Sequence, residues 1–359
     1  MTDGKVAVLG AGGWGTALAS VVATNGRPSW LWARRPEFAA EVAATRCNDR
    51  YLAGVRIPDE VHVTSELGDA LEGAAVVILA VPSHGLRAVL REAVRCHRRG
   101  PRVFASAAKG LETDTFKRMS EVLAEELLLG QGKSVGAEGA GGPEEPGVAV
   151  ISGPNFAAEV ARRQPAATVV ASARREWAEA VQDALVSPAL RVYTSPDVVG
   201  VEIAGALKNV YAICTGIADG LGLGLNARAA VITRGLAEMT RLGVALDAHP
   251  LTFSGLAGVG DLLLTCTGDL SRNRRAGLAI GRGENLERHL GSTPMVVEGV
   301  RTTAAARDLA ARGGVEMPIL EQVYQVIFQG KAPAEAVADL MTRMRRSEND
   351  GYGEHAATW

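Results

Sequence analysis

The chain reads as an α/β protein: a Rossmann-type, mostly parallel sheet domain followed by an all-helical C-terminal domain. Three observations predict this. Gly10, Gly12 and Gly15 form a G-x-G-x-x-G run between a first apolar segment and a first helical one. Short β-branched runs then alternate with helical periodicity up to residue 195. After Pro196 the strand signals stop. At 359 residues the chain exceeds what one hydrophobic core usually covers, so two domains are expected.

Residues 5–9 form a short apolar run that ends in glycines, which predicts a buried parallel strand. Similar runs follow at 29–32, 75–81, 103–107, 148–152, 168–171 and 192–194. Helical stretches such as 16–23 and 115–128 lie between most of them, so helices should cover both faces of the sheet. The segment 130–147 is rich in Gly, Glu and Pro and nearly free of large apolar side chains, which predicts a flexible surface insert. Beyond Pro196 comes a long apolar stretch at 198–217, then helical segments at 227–242, 302–312, 319–328 and 333–346. The expected division is a dinucleotide-binding domain at 1–195, a helical substrate and catalytic domain at 196–346, and a loose tail at 347–359.

Forty acidic residues face 38 basic ones, so the balance gives no electrostatic footprint for nucleic acid or a membrane surface. Cys47, Cys96, Cys214 and Cys266 are far apart and lack paired metal-ligand spacing, which predicts reduced thiols and no metal. The N-terminus MTDGKVAVLG enters a strand with no signal segment, and no apolar run is read as reaching the ~20 residues that span a bilayer. A cytoplasmic location without membrane insertion is the expectation, and the helical half is compatible with a homodimer.

The glycines have distinct tasks. Gly10 permits the tight turn, Gly12 lets the backbone approach a pyrophosphate, and Gly15 allows close helix–strand packing. The helix that follows offers free N–H groups and a partial positive charge to the phosphates. At the end of the second strand an Asp or Glu would bind the ribose hydroxyl of NAD; this chain instead has Arg34 and Arg35. A guanidinium fork suits a 2′-phosphate, so NADP(H) is favoured over NAD(H) as the cofactor.

Lys208 sits in the middle of an almost wholly apolar helix, and positions 204, 205, 211 and 212 are Ala, Gly, Tyr and Ala. With no local carboxylate, it must pair with a distant acid or lose solvation, and desolvation brings its pKa toward neutrality. Lys109 lies just past the carboxyl end of a sheet strand, where ligands bind in open α/β sheets. The run from Ser152 through Gly153 and Asn155 to Ala157 follows another strand and can offer backbone N–H groups and an amide side chain to the same crevice. Asp261 sits in a glycine-rich turn, and Ser271, Arg272, Asn273, Arg274 and Arg275 make a phosphate-type donor cluster that opens a helix. Each feature alone has an ordinary reading as a cap, a turn or a surface charge. Together in a dinucleotide fold they point to a small phosphorylated substrate reduced at a carbonyl.

These residues carry a resemblance. The sequence resembles the bacterial NAD(P)-dependent glycerol-3-phosphate dehydrogenase family over nearly its whole length, through VAVLGAGGWGTALA, RCNDRYLAGV, VPSH, AAKGLE, ISGPNFAAE, GALKNVYAI, DGLGLGLNARAAVITRGLAEMTRLG, AGVGDLLLTCTGDLSRNRR, VVEGVRT and VEMPI. The stretch 226–243 and the SRNRR segment are the most diagnostic. The resemblance implies reduction of dihydroxyacetone phosphate to sn-glycerol 3-phosphate, feeding glycerophospholipid synthesis. It implies that Lys208 exchanges the proton, that Lys109 touches both cofactor and substrate, and that Asp261 works beside Lys208. Ser271, Arg272 and Asn273 match the substrate-phosphate segment, with Arg272 also near the cofactor. Gly153 and Asn155 match a substrate-lining stretch, with Ala157 nearer the cofactor. Gly13, Trp14, Arg34, Val296 and Glu298 match cofactor contacts.

Three departures accompany the match. Position 155 is Asn where the family commonly has Ser or Thr. Tyr211 and Cys214 stand where smaller or aliphatic residues are usual. The insert at 130–147 has no expected counterpart. Two alternative readings stand beside the main one: another phospho- or keto-acid reductase of the same architecture, and a non-catalytic dinucleotide-sensing protein.

Overall fold

A computed structural model describes residues 4–96, 103–130, 146–291, 296–345 and 348. Most of the insert expected at 130–147, and all of the tail expected at 347–359 except Glu348, lie outside the described residues. The strands are β1 (Lys5–Leu9), β2 (Ser29–Trp32), β3 (Cys47–Asn48), β4 (Leu52–Arg56), β5 (Val61–Thr64), β6 (Ala74–Leu79), β7 (Val103–Ser106), β8 (Gly147–Ser152), β9 (Ala166–Ala171) and β10 (Leu190–Ser195). Eight of them form one sheet in the order β10-β9-β8-β7-β6-β1-β2-β5, while β3 and β4 form a separate antiparallel hairpin.

All pairings in the large sheet are parallel except β8 with β9. The reversal follows Gly153, whose φ of 144° lets the chain turn back after β8. Ala7, Val8 and Leu9 of the central strand are fully buried, because helices cover both faces. Strand order reverses around β1, with β2 on one side and β6 on the other, which opens a crevice at the carboxyl ends. The turns after β1, β2, β6, β7 and β8 all converge there. Every strand expected from the sequence is present, with ends shifted by at most two residues. The edge strand β5 and the β3–β4 hairpin were not foreseen, since strands of four residues (β5), two (β3) and five (β4) give too little alternation to read.

The helix expected at 115–128 begins later, at Met119–Gly130. Phe116 has a φ of 60°, which no helix tolerates, and Leu111 bridges to Arg118 across the intervening turn. A distant residue starts the helix instead. Glu202 accepts hydrogen bonds from the Ser120 N–H (2.8 Å) and hydroxyl (2.5 Å) and from Arg118 (3.1 Å). This carboxylate does the work of an N-cap across 82 residues of sequence, and it ties the sheet domain to the long helix that carries Lys208.

Among the described residues no strand follows β10. The central helix there is Val198–Gly220, capped by Asp197, which accepts from the Gly200 N–H at 2.8 Å. By length and composition this helix is apolar enough to cross a membrane, contrary to the expectation from the sequence. However, 78% of its apolar window is buried inside the protein, so it serves as the core of the helical half. The helices Gly224–Ala245, Asp261–Thr267, Arg272–Gly281 and Glu298–Arg312 pack around it. The approach to Arg272–Gly281 is especially close: a Cβ on Gly216 would stand 2.1 Å from the Arg274 carbonyl oxygen, and one on Gly277 would stand 2.0 Å from that of Ile213. Glycine at both crossing points lets the Arg272 helix lie against the Lys208 helix.

Candidate active site

The glycine turn is built as its spacing predicts. Gly10 has a φ of 116°, and a Cβ there would meet the Ala80 carbonyl oxygen at 2.7 Å. A Cβ on Gly15 would lie 1.9 Å from the Gly10 carbonyl oxygen, so helix Gly13–Thr24 can dock this tightly only with glycine. Gly12, by contrast, faces open space, with no atom within 4 Å of its Cβ position. No side chain caps this helix, which leaves the N–H groups of Gly13, Trp14 and Gly15 free toward that space. Ala157 packs near Gly13, and the Trp14 Nε1 is buried without a hydrogen-bond partner. An open cradle with backbone donors suits a pyrophosphate, and the residues present fit a dinucleotide.

The two arginines at the end of β2 are not equivalent. Arg35 lies 5.3 Å over the ring of Phe38 and precedes helix Pro36–Thr45. Arg34 is exposed and acts electrostatically on His84. His84 is lowered by burial of part of its ring and by Arg301, is raised by Glu298, and is lowered again by Arg34. Glu298 accepts from the Ser83 hydroxyl (2.7 Å) and N–H (3.1 Å), so helix Glu298–Arg312 is pinned to the turn after β6. Val296 lies two residues before Glu298, partly exposed.

The centre of the crevice is an ion triad. The Lys208 Nζ pairs with Asp261 Oδ1, and the Lys109 Nζ pairs with Asp261 Oδ2 at 2.7 Å. Asp261 is 1% exposed, Lys208 8% and Lys109 17%, so one buried carboxylate serves two ammonium groups and the triad keeps a net positive charge. Lys208 also donates to the Thr265 hydroxyl at 2.9 Å, which itself donates to the Asp261 carbonyl at 2.6 Å. Lys109 donates to the Gly153 carbonyl at 2.8 Å. Thus Gly153 presents its carbonyl to the crevice, where the sequence suggested an N–H. Burial pushes Lys208 down to about 7; Asp261 opposes the shift and Lys109 reinforces it. The lysine therefore meets both alternatives read from its helix, a distant acid and lost solvation.

Around the triad runs a chain of amides. Asn209 donates to the Lys109 carbonyl (3.2 Å), Asn273 donates to Asn209 Oδ1 (2.8 Å), and the Gly299 N–H donates to Asn273 Oδ1 (2.9 Å). Asn273 thus spends its acceptor and one donor on the protein, and its second N–H is left for a ligand. The Ser271 hydroxyl accepts from the Arg274 N–H at 3.2 Å and caps helix Arg272–Gly281. Arg272 opens that helix with its side chain exposed and no hydrogen-bonded partner among the described residues. Arg274, beside it, is spent on Asp219 and Asp269. Asn155 donates to the Ala167 carbonyl at 2.9 Å, while its Oδ1 and the Ser152 hydroxyl are buried without partners next to the Lys109 loop.

Sequence reasoning missed Thr265, Asn209 and Ser83. Thr265 lies four residues after Asp261 on one helix, a spacing that places it on the same face. Asn209 is adjacent to Lys208 in a motif already quoted. Ser83 carried no signal beyond its position past a strand end. Among the described residues no cluster of His, Cys, Asp and Glu could hold a metal ion.

The family model described as NAD-dependent glycerol-3-phosphate dehydrogenase N-terminus matches residues 5–178, and its C-terminus counterpart matches residues 197–338. Glycerol-3-phosphate dehydrogenase (NAD(P)+) of Moorella thermoacetica is 51% identical over 344 residues, covering 96% of this chain and 97% of that one. The crystal structure of glycerol-3-phosphate dehydrogenase from Coxiella burnetii superposes with a TM-score of 0.86 at 37% identity, covering 95% and 99% of the two chains. A ketopantoate reductase from Ralstonia eutropha shares only the fold, at a TM-score of 0.54 and 13% identity.

Proposed function

The chain belongs to the NAD-dependent glycerol-3-phosphate dehydrogenase family, and from that premise we propose how its residues divide the reduction of dihydroxyacetone phosphate to sn-glycerol 3-phosphate by NAD(P)H. The observation that carries the proposal is the buried Asp261 carboxylate shared by Lys109 and Lys208 at the centre of the crevice. When bound, the reduced nicotinamide supplies the hydride equivalent to the carbonyl carbon. Lys208 delivers the proton to the developing alkoxide, since a lysine near 7 holds a transferable proton at physiological pH. Lys109 adds positive charge beside the same oxygen, and stabilisation of this kind is worth about 3 kcal/mol of barrier for each well-placed donor. Asp261 holds both ammonium groups in place and keeps Lys208 from losing its proton too early.

Arg272 has its guanidinium uncommitted and holds the substrate phosphate, with the spare N–H of Asn273 beside it. Ser271 contributes by fixing the start of that helix. Gly153 and Asn155 line the carbonyl side, and the unpartnered Ser152 hydroxyl and Asn155 Oδ1 are groups a polyol phosphate can satisfy. Gly10, Gly12, Gly13, Trp14, Gly15 and Ala157 form the dinucleotide cradle, with Val296 and Glu298 closing it from the helical side. In this division residues 1–195 hold the cofactor and 196–346 supply the acid and the phosphate site. Four free cysteines suit a cytoplasmic setting. Leu225, Leu251 and Met341, exposed on the helical half, suit a homodimer, which size-exclusion chromatography would detect.

Cofactor preference rests on Arg34, the member of the exposed β2 pair that is not stacked over Phe38. Initial rates with dihydroxyacetone phosphate should favour NADPH over NADH. Arg34→Ala should raise the KM for NADPH by roughly 10–150-fold and leave that for NADH within about twofold, because a lost contact to a phosphate costs about 1.5–3 kcal/mol. The same substitution at Arg35, engaged with Phe38, should have the smaller effect. Equal losses for both nicotinamides would remove Arg34 from the 2′-phosphate.

A further inference from the structure

We propose that Asn48, in the β3–β4 hairpin, is a positioning residue for the dinucleotide, aiming the backbone N–H of Gly12 at the phosphates. The inference rests on the reading of the glycine turn as the nicotinamide-cofactor cradle. Asn48 is 1% exposed, and all of its polar atoms are used. Its amide nitrogen donates to the Ala11 carbonyl at 3.0 Å and to the Thr16 hydroxyl at 2.7 Å. Its oxygen accepts from the Tyr51 N–H at 3.2 Å, which closes the hairpin on itself. One side chain therefore joins three pieces: the glycine turn, the first turn of its helix, and the hairpin.

The consequence follows from peptide geometry. The Ala11–Gly12 peptide is planar and trans, so its C=O and N–H point in opposite directions. With the Ala11 carbonyl held toward Asn48, the Gly12 N–H is directed away from the hairpin. No atom lies within 4 Å of the Gly12 Cβ position, so a phosphate can approach the backbone there. Without the Asn48 anchor the peptide is freer to rotate about ψ of Ala11 and φ of Gly12, and part of the N–H orientation must be organised at each binding event. Thr16, fully buried, supplies the second fixed point, one helical turn along.

The hairpin is also in contact with the substrate side. Leu52 and Val55 pack with Ala17 and Trp14 of the glycine-turn helix and with Ala157, Ala158 and Ala161. The latter residues follow directly after Gly153 and Asn155. The Tyr51 carbonyl lies 2.7 Å from where a Gly13 Cβ would be, so the hairpin bears on the turn with no gap for drift.

The test is steady-state kinetics on Asn48→Ala with NADPH and dihydroxyacetone phosphate, beside the wild-type enzyme and a direct NADPH titration by fluorescence. The expected result is a rise in KM and Kd for NADPH of roughly tenfold, with kcat and the KM for dihydroxyacetone phosphate within about twofold. A purely structural role would lower the melting temperature or the active fraction and leave the NADPH KM alone. Should Asn48→Ala fail to fold, Thr16→Val removes one of the two acceptors at constant shape, and it should raise the NADPH KM by roughly threefold. An unchanged NADPH KM in the folded variant, or a loss confined to kcat, overturns the inference while leaving the cofactor site intact. A wild-type enzyme that fails to bind NADPH or NADH overturns the reading of the cradle itself, and this inference with it.

Discussion

Replacing Lys208 by alanine is expected to cut turnover of dihydroxyacetone phosphate on the order of 10³–10⁴-fold while NADPH affinity stays within about twofold. The argument is geometric before it is electrostatic. Lys208 projects from a buried helix onto Asp261 and Thr265, so its ammonium is fixed rather than tethered on a loose stem. Burial brings it to about 7, where it holds its proton weakly enough to deliver it to an alkoxide. On the proposed division of roles, removing it takes away both the acid and one of the two positive charges beside the reacting oxygen. The glycine turn lies on the sheet side and is untouched, which separates the loss of turnover from binding. A stopped-flow trace of NADPH absorbance at saturating substrate would measure the loss directly. Turnover within tenfold of wild type would transfer the role of acid to Lys109 or to water.

Asp261→Asn carries the second large effect, expected at about 10²–10³-fold in kcat. The change is isosteric, so the cost is electrostatic. Two ammonium groups would face each other across a neutral amide in a site from which water is largely excluded. Asp261 is the group that holds the Lys208 pKa up against burial and against Lys109. Without it the Lys208 pKa falls further, and the enzyme should retain activity only on the acid side of its normal range. A loss of rate without an acid-ward shift of the profile would mean that Asp261 matters for folding of the site rather than for the charge of Lys208. Circular dichroism of the variant distinguishes those outcomes.

Much of this site was legible in the sequence because its parts are local. The glycine spacing names its own geometry, Lys109 sits at a strand end, and Lys208 is conspicuous in an apolar helix. The meeting of those lysines at Asp261 was implied only by the family resemblance and could not be read from spacing. Asp261 is 152 residues from one partner and 53 from the other, and only the packing of helix Asp261–Thr267 on helix Val198–Gly220 joins them. The same limit hid Glu202, which caps the helix at Ser120 from the far domain and moved its start from the expected position. It also hid Asn48, whose strand of two residues carries no periodicity. Arg34 and Arg35 looked equivalent in sequence, and the structure separates them because Arg35 has an aromatic ring within reach. The long apolar helix shows the converse error: its composition permits a membrane span, and only its burial identifies it as core.

The most direct measurement of the central claim is the pH dependence of both reaction directions, from about pH 5.5 to about pH 9, at saturating nicotinamide. The pKa of Lys208 is depressed to about 7, so its ammonium is present below that value and its neutral amine above it. Reduction needs the proton and should lose rate as pH rises through about 7, whereas oxidation of sn-glycerol 3-phosphate needs the free amine and should gain rate over the same interval. Opposite slopes that cross near neutrality are the predicted result. Profiles that run parallel in the two directions, or stay flat across that interval, would contradict a proton carried by Lys208.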